Sequence, residues 1–158
     1  MTFQLVEPIL LIGLGGVGAR LAEKAKKSLN SDCLLISHDQ KDLTIENSIK
    51  ISTKSVVNPS THLIRGSTLE TSDEIKKNIA NYSTVILMSN LAGKAGAGIG
   101  PIVSKICKQE QKNLLSFVVM PFKFEKERIF QSGIALKRIR QDSQCTIVVD
   151  NDALLDSN

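Results

Sequence analysis

The chain has 158 residues, 42% hydrophobic and 23% charged, which is long enough to bury one substantial core and typical of globular proteins. Aromatic residues make up only 4%, with no Trp, which argues against an aromatic stacking platform for nucleic acid. The net charge of +4 is modest and spread out, with basic residues along two predicted helices: Lys24, Lys26 and Lys27 on one, and Lys137, Arg138 and Arg140 on the other. This pattern indicates solvated helix faces, with a surface for an acidic partner as the alternative.

In chain order, short apolar runs alternate with helical patterns. The runs predict buried strands at 8–14, 33–37, 84–89, 114–120 and 145–149. Amphipathic spacing predicts helices at 17–29, from a capping Ser72 through Ile79, at 99–107 and at 129–139. The segment 51–66 has no sustained periodicity and is predicted to be a loop with one short strand. Strands alternating with helices indicate a single α/β domain with a parallel sheet and helices on both faces.

Cysteine usage and hydropathy restrict the compartment. Cys33, Cys107 and Cys145 are far apart and form no C-x-x-C, which argues against a disulfide framework or a zinc site. Cys33 and Cys145 lie in apolar runs and are expected to fill the core. No segment has the length of a membrane span and no basic, apolar leader opens the chain. We therefore expect a cytoplasmic protein.

A first glycine-rich turn, Gly13-Leu14-Gly15-Gly16-Val17-Gly18, follows a predicted strand and opens a predicted helix. Such a turn brings bare N–H groups and a helix N-terminus against a phosphate. Asp39 follows the second strand, where a dinucleotide fold keeps its ribose-binding acid. The local pattern fits an NAD-type Rossmann domain or an adenylating domain, and also a tight turn without ligand.

A second glycine-rich turn, residues 90–101, also follows a buried strand and opens a helix. Its small residues Gly96, Ala97 and Gly98 favour close backbone approach. A dinucleotide fold needs one phosphate loop, whereas two turns at the ends of parallel strands can hold one polyphosphate from both sides.

With this turn the chain resembles the FtsZ/tubulin family of GTPases. The segment 92–98 and the following Pro101 resemble that family's G-G-G-T-G-[ST]-G loop. Further motifs match in order, and the resemblance spans roughly residues 8–155: the first turn with Arg20, Ser37-His38-Asp39, Pro121-Phe122-Lys123-Phe124-Glu125, Gly133-Ile134, and Asn151-Asp152-Ala153-Leu154-Leu155.

The resemblance implies a three-layer, Rossmann-like GTP-binding domain and a set of nucleotide contacts. Both turns would donate N–H groups to phosphates, Glu125 would accept from the ribose, Arg128 would contact the nucleotide, and Asn151 would bind the guanine edge. The implied nucleotide-binding residues are Gly15, Gly16, Val17, Gly18, Arg20, Asp39, Gly93, Lys94, Ala95, Gly96, Ala97, Gly98, Glu125, Arg128 and Asn151.

The chain also departs from the family pattern. Ala95 and Ala97 stand where the family has hydroxyl residues, Lys94 replaces a glycine, and Arg20 replaces an asparagine. The chain stops at Asn158, where the family begins a central helix whose following loop supplies water-positioning carboxylates. We therefore expect residues 1–158 to be a single GTP-binding domain that binds GTP or GDP, with no catalytic or metal-ligating residue of its own.

Three functions remain open at this stage. The first is a GTP- or GDP-binding module that assembles with itself or an FtsZ-like paralogue, with Mg²⁺ expected only because polyphosphates carry it. The second is an NAD(P)- or ATP-binding Rossmann enzyme domain. The third is a degenerate family member that scaffolds without nucleotide. None of the three involves nucleic acid.

Overall fold

The protein is built around a parallel β-sheet, seen in a computed structural model that describes residues 5–54 and 56–151. The described strands are β1 (Ile9–Leu14), β2 (Asp32–Ser37), β3 (Ser48–Lys50), β4 (Thr84–Asn90), β5 (Asn113–Met120) and β6 (Cys145–Asp150). The helices are α1 (Gly15–Leu29), α2 (Thr61–Glu70), α3 (Ser72–Ile79), α4 (Lys94–Gln109) and α5 (Lys126–Asp142), with a short 3-10 helix at Gln40–Asp42. The predicted α/β fold is confirmed.

The strand order places β1 and β4 side by side at the centre of the sheet. The six strands lie in the order β3-β2-β1-β4-β5-β6, and every pair is parallel. Five of the six residues of β1 are buried, as expected for a strand covered on both faces. Because parallel strands end at the same edge, the loops after β1, β4, β5 and β6 all open on one side of the molecule.

Helices cover the two faces of the sheet unequally. On one face α1 packs against β1, β2 and β4 through Ala19 and Ala22, whose small side chains bring the helix close. On the other face α2, α3, α4 and α5 form a continuous layer, with the fully buried Ile64, Ile75 and Ile99 at its core. The core is aliphatic, as the scarcity of aromatic residues requires.

The predicted loop at 51–66 differs from the structure, because α2 begins at Thr61. The hydroxyl of Ser60 accepts a hydrogen bond from the N–H of Leu63 (3.1 Å) and caps this helix. Gly66 and several Ser and Thr residues give α2 a weak helical pattern, and burial of Ile64 against α4 stabilises it instead. The short strand lies earlier, as β3.

Two smaller expectations also need correction. Ser72 is the first residue of α3 rather than its cap, and its hydroxyl donates to the carbonyl of Leu69 (2.7 Å). Cys33 and Cys107 are buried, whereas Cys145 is only partly buried. Within the described residues, no helix combines the length and the hydropathy needed to cross a bilayer.

Candidate functional site

The two glycine-rich turns lie next to each other at the carboxyl edge of the sheet. The first follows β1 and the second follows β4, with Leu14 paired to Ser89 in the register of these neighbouring strands. A Cβ built on Gly15 would lie 3.0 Å from the Cβ of Ala95. The two turns therefore meet, as two loops acting on one ligand require.

The first turn presents the uncapped N-terminus of α1. Gly15 has φ +67°, a left-handed conformation that favours glycine. No side chain caps the helix, so the N–H groups of Gly15, Gly16 and Val17 have no intrahelical acceptor. The N–H of Gly18 lies one turn further in, where it bonds to the carbonyl of Leu14 by helix geometry.

The second turn presents the N-terminus of α4 in the same way. Gly93 is the N-cap residue and no side chain caps the helix. The N–H groups of Lys94, Ala95 and Gly96 therefore have no intrahelical acceptor. The N–H of Ala97 donates to the carbonyl of Gly93 (3.0 Å), and Gly98 lies further along the helix. The available donors are those of the first three residues.

Gly96 is required by packing against the end of β4. A Cβ at this position would lie 2.1 Å from the carbonyl oxygen of Asn90, a contact no side chain can make. Ala95 and Ala97 are 7% and 3% exposed and lie in the core. The small side chains of this turn thus serve helix–strand packing as well as backbone approach.

Lys94 bridges the second turn to the segment before α2. Its Nζ donates a hydrogen bond to Oδ1 of Asn58 (2.8 Å), although the side chain remains exposed. A cavity of about 320 Å³ lies beside it, with walls formed by Ser60, Gly93, Lys94, Glu127, Arg128 and Gln131. The positively charged ammonium group of Lys94 therefore lies beside this cavity.

Glu125 and Arg128 lie together at the start of α5, next to the second turn. The Oε2 atom of Glu125 accepts a hydrogen bond from the N–H of Phe122 (2.8 Å). Arg128 Nη1 donates to the carbonyl of Ala92 (3.3 Å) and lies 4.0 Å from Oε1 of Glu125. Arg128 thus connects α5 to the second turn and places a guanidinium beside it.

Arg20 flanks the first turn together with Asp42, an acid that sequence reasoning missed. Asp39 instead lines a cavity with His38, Lys50 and Asn58. The carboxylate of Asp39 accepts from the N–H of Lys41 (3.0 Å) and caps the short 3-10 helix. A Cβ on Gly16 would lie 3.0 Å from Oδ1 of Asp42 and 3.4 Å from Nη1 of Arg20. Only the 3-10 turn brings Asp42 to this position, and no motif in the sequence marks it.

Asn151 follows β6 directly and is partly buried. Its strand lies two positions from β4, a lateral distance of about 10 Å at ordinary strand spacing. The rest of the predicted N-D-x-L-L motif, residues 152–155, lies outside the described residues. Asn151 thus lies on the same edge as the two turns, two strands from the second turn and three from the first.

Comparison with known proteins settles the family. The sequence model of the Tubulin/FtsZ family, GTPase domain, matches residues 8–158. The chain belongs to the Tubulin/FtsZ family. This confirms the resemblance seen in the sequence.

Curated members of the Tubulin/FtsZ family are similar over much of the chain. "Cell division protein FtsZ 2" of Halobacterium salinarum is 27% identical over 162 residues, covering 94% of this chain and 40% of the relative. "Cell division protein FtsZ" of Helicobacter pylori is 34% identical over 89 residues, covering 54% of this chain and 23% of the relative. The chain thus spans less than half the length of these relatives.

Solved structures share the fold. The FtsZ dimer of M. jannaschii superposes with a TM-score of 0.84 at 24% identity, covering 94% of this chain and 46% of that one. CetZ from Methanosaeta thermophila gives 0.75 at 18% identity, covering 90% and 46%. At these identities the likeness establishes the Rossmann-like fold of the Tubulin/FtsZ nucleotide-binding domain.

The charge around the two turns suits an anionic ligand. Two helix N-termini converge there, each carrying a partial positive charge and unpaired N–H groups. Arg20, Lys94 and Arg128 add exposed cations around them. In the part of the Tubulin/FtsZ chain that the structure describes, no three or more His, Cys, Asp or Glu side chains cluster to hold a metal.

Proposed function

We propose that this chain binds a guanine nucleotide, GTP or GDP, across the carboxyl edge of its sheet. The observation that carries the proposal is the meeting of two uncapped helix N-termini, with Gly15 and Ala95 in close approach. One such N-terminus suits one phosphate group, and two facing N-termini suit a polyphosphate. Membership of a family of GTPase domains supports guanosine as the nucleoside.

The geometry defines the donors more narrowly than the motifs do. Six N–H groups point away from their helices, those of residues 15–17 in the first turn and 94–96 in the second. Gly18, Ala97 and Gly98 contribute through packing and helix geometry, since their N–H groups lie past the first three residues of each helix. We assign the phosphates to these six donors.

The nucleoside extends from the second turn toward β6. Glu125 and Arg128 follow β5 and would contact the ribose and the phosphates, while Asn151 follows β6 and would bind the guanine edge. Asp42 lies beside Gly16 of the first turn, and Asp39 caps the 3-10 helix that carries Asp42. Because polyphosphates carry Mg²⁺, the cation is expected to enter with the nucleotide and to offset these two carboxylates.

Membership of the family supports a proposal for assembly and cellular role. The similar proteins carry the name of cell division proteins, and one solved relative is a dimer. We infer that the chain assembles with itself or with an FtsZ-like paralogue in the cytoplasm, in a polymer connected with cell division. Burial of Ala95 and Ala97, where the resemblance expects hydroxyl groups, favours a second candidate, a scaffold that assembles without nucleotide.

Replacement of Gly93 tests the phosphate site without disturbing the fold. Gly93 has φ −85° and ψ 150°, and a Cβ there would lie 3.5 Å from the carbonyl of Asn90, an ordinary contact. Asp and Asn are both favoured at an N-cap position, so both variants are expected to fold with α4 intact. In Gly93→Asp a carboxylate occupies the phosphate position, and GDP binding measured by calorimetry should fall at least about tenfold below that of Gly93→Asn.

The unsubstituted chain sets the reference for this experiment. Nucleotide extracted from the purified protein should be GDP or GTP, and added ATP and NAD should bind more weakly. Adenine nucleotide or NAD in its place would support the Rossmann enzyme instead. No bound nucleotide, together with equal behaviour of Gly93→Asp and Gly93→Asn, would support the scaffold.

A further inference from the structure

A second candidate binding site extends along α1, from Arg20 near the first turn to the opposite edge of the sheet. It consists of two adjoining cavities, one of about 540 Å³ and one of about 430 Å³, which share Asn30 and Ser31. We name this surface the α1 groove. Its first cavity is formed by Arg20, Glu23, Lys24, Lys26, Lys27 and Ile45, and its second by Glu7, Pro8, Ile9, Leu29 and Asp32.

The first cavity carries an excess of positive charge. Its only carboxylate, that of Glu23, accepts a hydrogen bond from the hydroxyl of Thr44. None of its four cations forms a salt bridge with a residue that the structure describes. Lys26 and Lys27 occupy the last turn of α1, where the helix dipole favours cations, but Arg20 and Lys24 lie outside that turn.

A buried hydroxyl group lies where the two cavities join. The Oγ atom of Ser31 is buried and has no hydrogen-bond partner among the described residues. Buried polar atoms are nearly always paired, so an unpaired one that lines a cavity is a position where a ligand group can bind. A peptide carbonyl or a carboxylate at this junction would satisfy the hydroxyl.

We propose that the α1 groove binds an acidic, extended peptide segment of a partner protein. Arg20 and Leu29 are separated by nine helical residues, or about 14 Å, which equals about four residues of extended chain. Acidic side chains would lie over Arg20, Lys24 and Lys27 in the first cavity. An apolar side chain would lie over Leu29, which is 46% exposed, in the second.

The second cavity decides between a peptide and other polyanions. Glu7 and Asp32 line it, so the groove changes sign along its length. Nucleic acid and an anionic membrane carry uniform negative charge, and either would be repelled at this end. A peptide, in contrast, can have acidic residues at one end and uncharged residues at the other. Arg20 adjoins the first turn, whereas Lys24 and Lys27 lie about two and three helical turns beyond the last phosphate donor of α1. Changes at these two lysines therefore test the proposal independently of nucleotide binding.

Charge reversal in the groove tests the proposal. The probe is a fluorescein-labelled peptide, Glu-Asp-Glu-Glu-Ala-Leu-Lys-Leu, followed by fluorescence anisotropy with the full chain. The double variant Lys24→Glu/Lys27→Glu changes two exposed side chains and should weaken binding about tenfold or more, because each attraction becomes a repulsion. The matched control Lys137→Glu/Arg140→Glu makes the same charge change on exposed positions of α5 and should leave binding within about twofold.

Two further measurements test the proposal. Leu29→Asp should also weaken peptide binding, since it removes the apolar contact. Absence of saturable peptide binding, or equal loss in the α5 control, would overturn the proposal. If a single-stranded oligonucleotide instead binds as tightly as the peptide and loses that binding in Lys24→Glu/Lys27→Glu, this result would identify the ligand of the groove as nucleic acid. Retention of GDP binding by the groove variants would show that the two sites are separate.

Discussion

Tyr82 makes a short hydrogen bond whose strength depends on pH. Its phenol OH donates to Oδ2 of Asp32 (2.6 Å), at the end of β2 that borders the α1 groove. This hydrogen bond raises the pKa of Tyr82 to about 12, with burial and the charge of Asp32 adding to the effect. The phenolate form is disfavoured because it would remove the donor and place two negative charges in contact.

The titration of Tyr82 is predicted to differ between the folded and unfolded chain. An unfolded Tyr has a pKa of about 10, so the folded pKa is raised. The stabilisation it provides is therefore complete below about pH 10 and is lost as the pH rises through about 12. The chain has one Tyr and no Trp, so tyrosinate absorbance reports this group alone.

Tyr82→Phe is the control for this titration. It removes the hydrogen bond, and the free energy of unfolding should fall by about 0.5–1 kcal/mol at neutral pH, a modest loss because the pair is largely exposed. Stability of the variant should no longer decrease between pH 10 and 12 from this cause. A native midpoint for Tyr82 close to 10 would contradict the assigned contact.

At the scale of whole helices, glycines divide into those that packing requires and those it does not. Gly66 in α2 and Gly133 in α5 have open space where a side chain would lie, with no atom within 4 Å of a built Cβ. A Cβ built on Gly96 in α4 would lie 2.1 Å from the carbonyl oxygen of Asn90. The same change of one methyl group should therefore have opposite effects in these helices.

Alanine substitutions test this difference. Gly133→Ala should raise the free energy of unfolding by about 0.5–1 kcal/mol, because Ala restricts the unfolded chain and favours the helix. Gly96→Ala should lower it by about 1–3 kcal/mol, because the backbone of β4 or α4 must shift. Urea denaturation gives both values. Equal effects of the two changes would show that α4 does not approach β4 as closely as described.

For the molecule as a whole, part of one sheet face has no helix over it. The helix α1 covers β1, β2 and β4, but the corresponding face of β5 and β6 lacks a helix within the described chain. Phe117 and Ile147 are paired in the register of these strands, and Ile147 is 45% exposed. Paired apolar side chains on an uncovered sheet face form an apolar patch, and large patches of this kind are unusual on a monomer surface.

This patch is predicted to bind a hydrophobic dye such as anilinonaphthalene sulfonate in the native state. Ile147→Lys should reduce dye fluorescence while leaving the free energy of unfolding within about 0.5 kcal/mol, as for most surface changes. The control Val118→Lys places a charge in the core, where Val118 is fully buried, and should unfold the chain. Unchanged dye binding in a folded Ile147→Lys would place the patch elsewhere.

The amino-acid sequence by itself determined the α/β class, the alternation of strands and helices, and the two turns. Apolar runs and helical spacing are local patterns, and a glycine-rich turn between a strand and a helix is local as well. Motifs kept in order along the chain carried the family assignment. The sequence patterns did not predict α2, because Gly66 and its polar neighbours weaken the helical periodicity. Burial of Ile64, a tertiary contact, stabilises this helix.

Only the tertiary structure decided which groups meet. Strand order placed β1 beside β4 and so brought Gly15 to Ala95, a contact between positions eighty residues apart. It brought Asp42 to Gly16, and it showed that Gly96 packs against Asn90 rather than simply leaving space for a ligand. The α1 groove likewise combines residues from α1, the start of β2 and the segment around Ile45. These contacts depend on how elements pack across the sheet, a property that spacing along one chain does not encode.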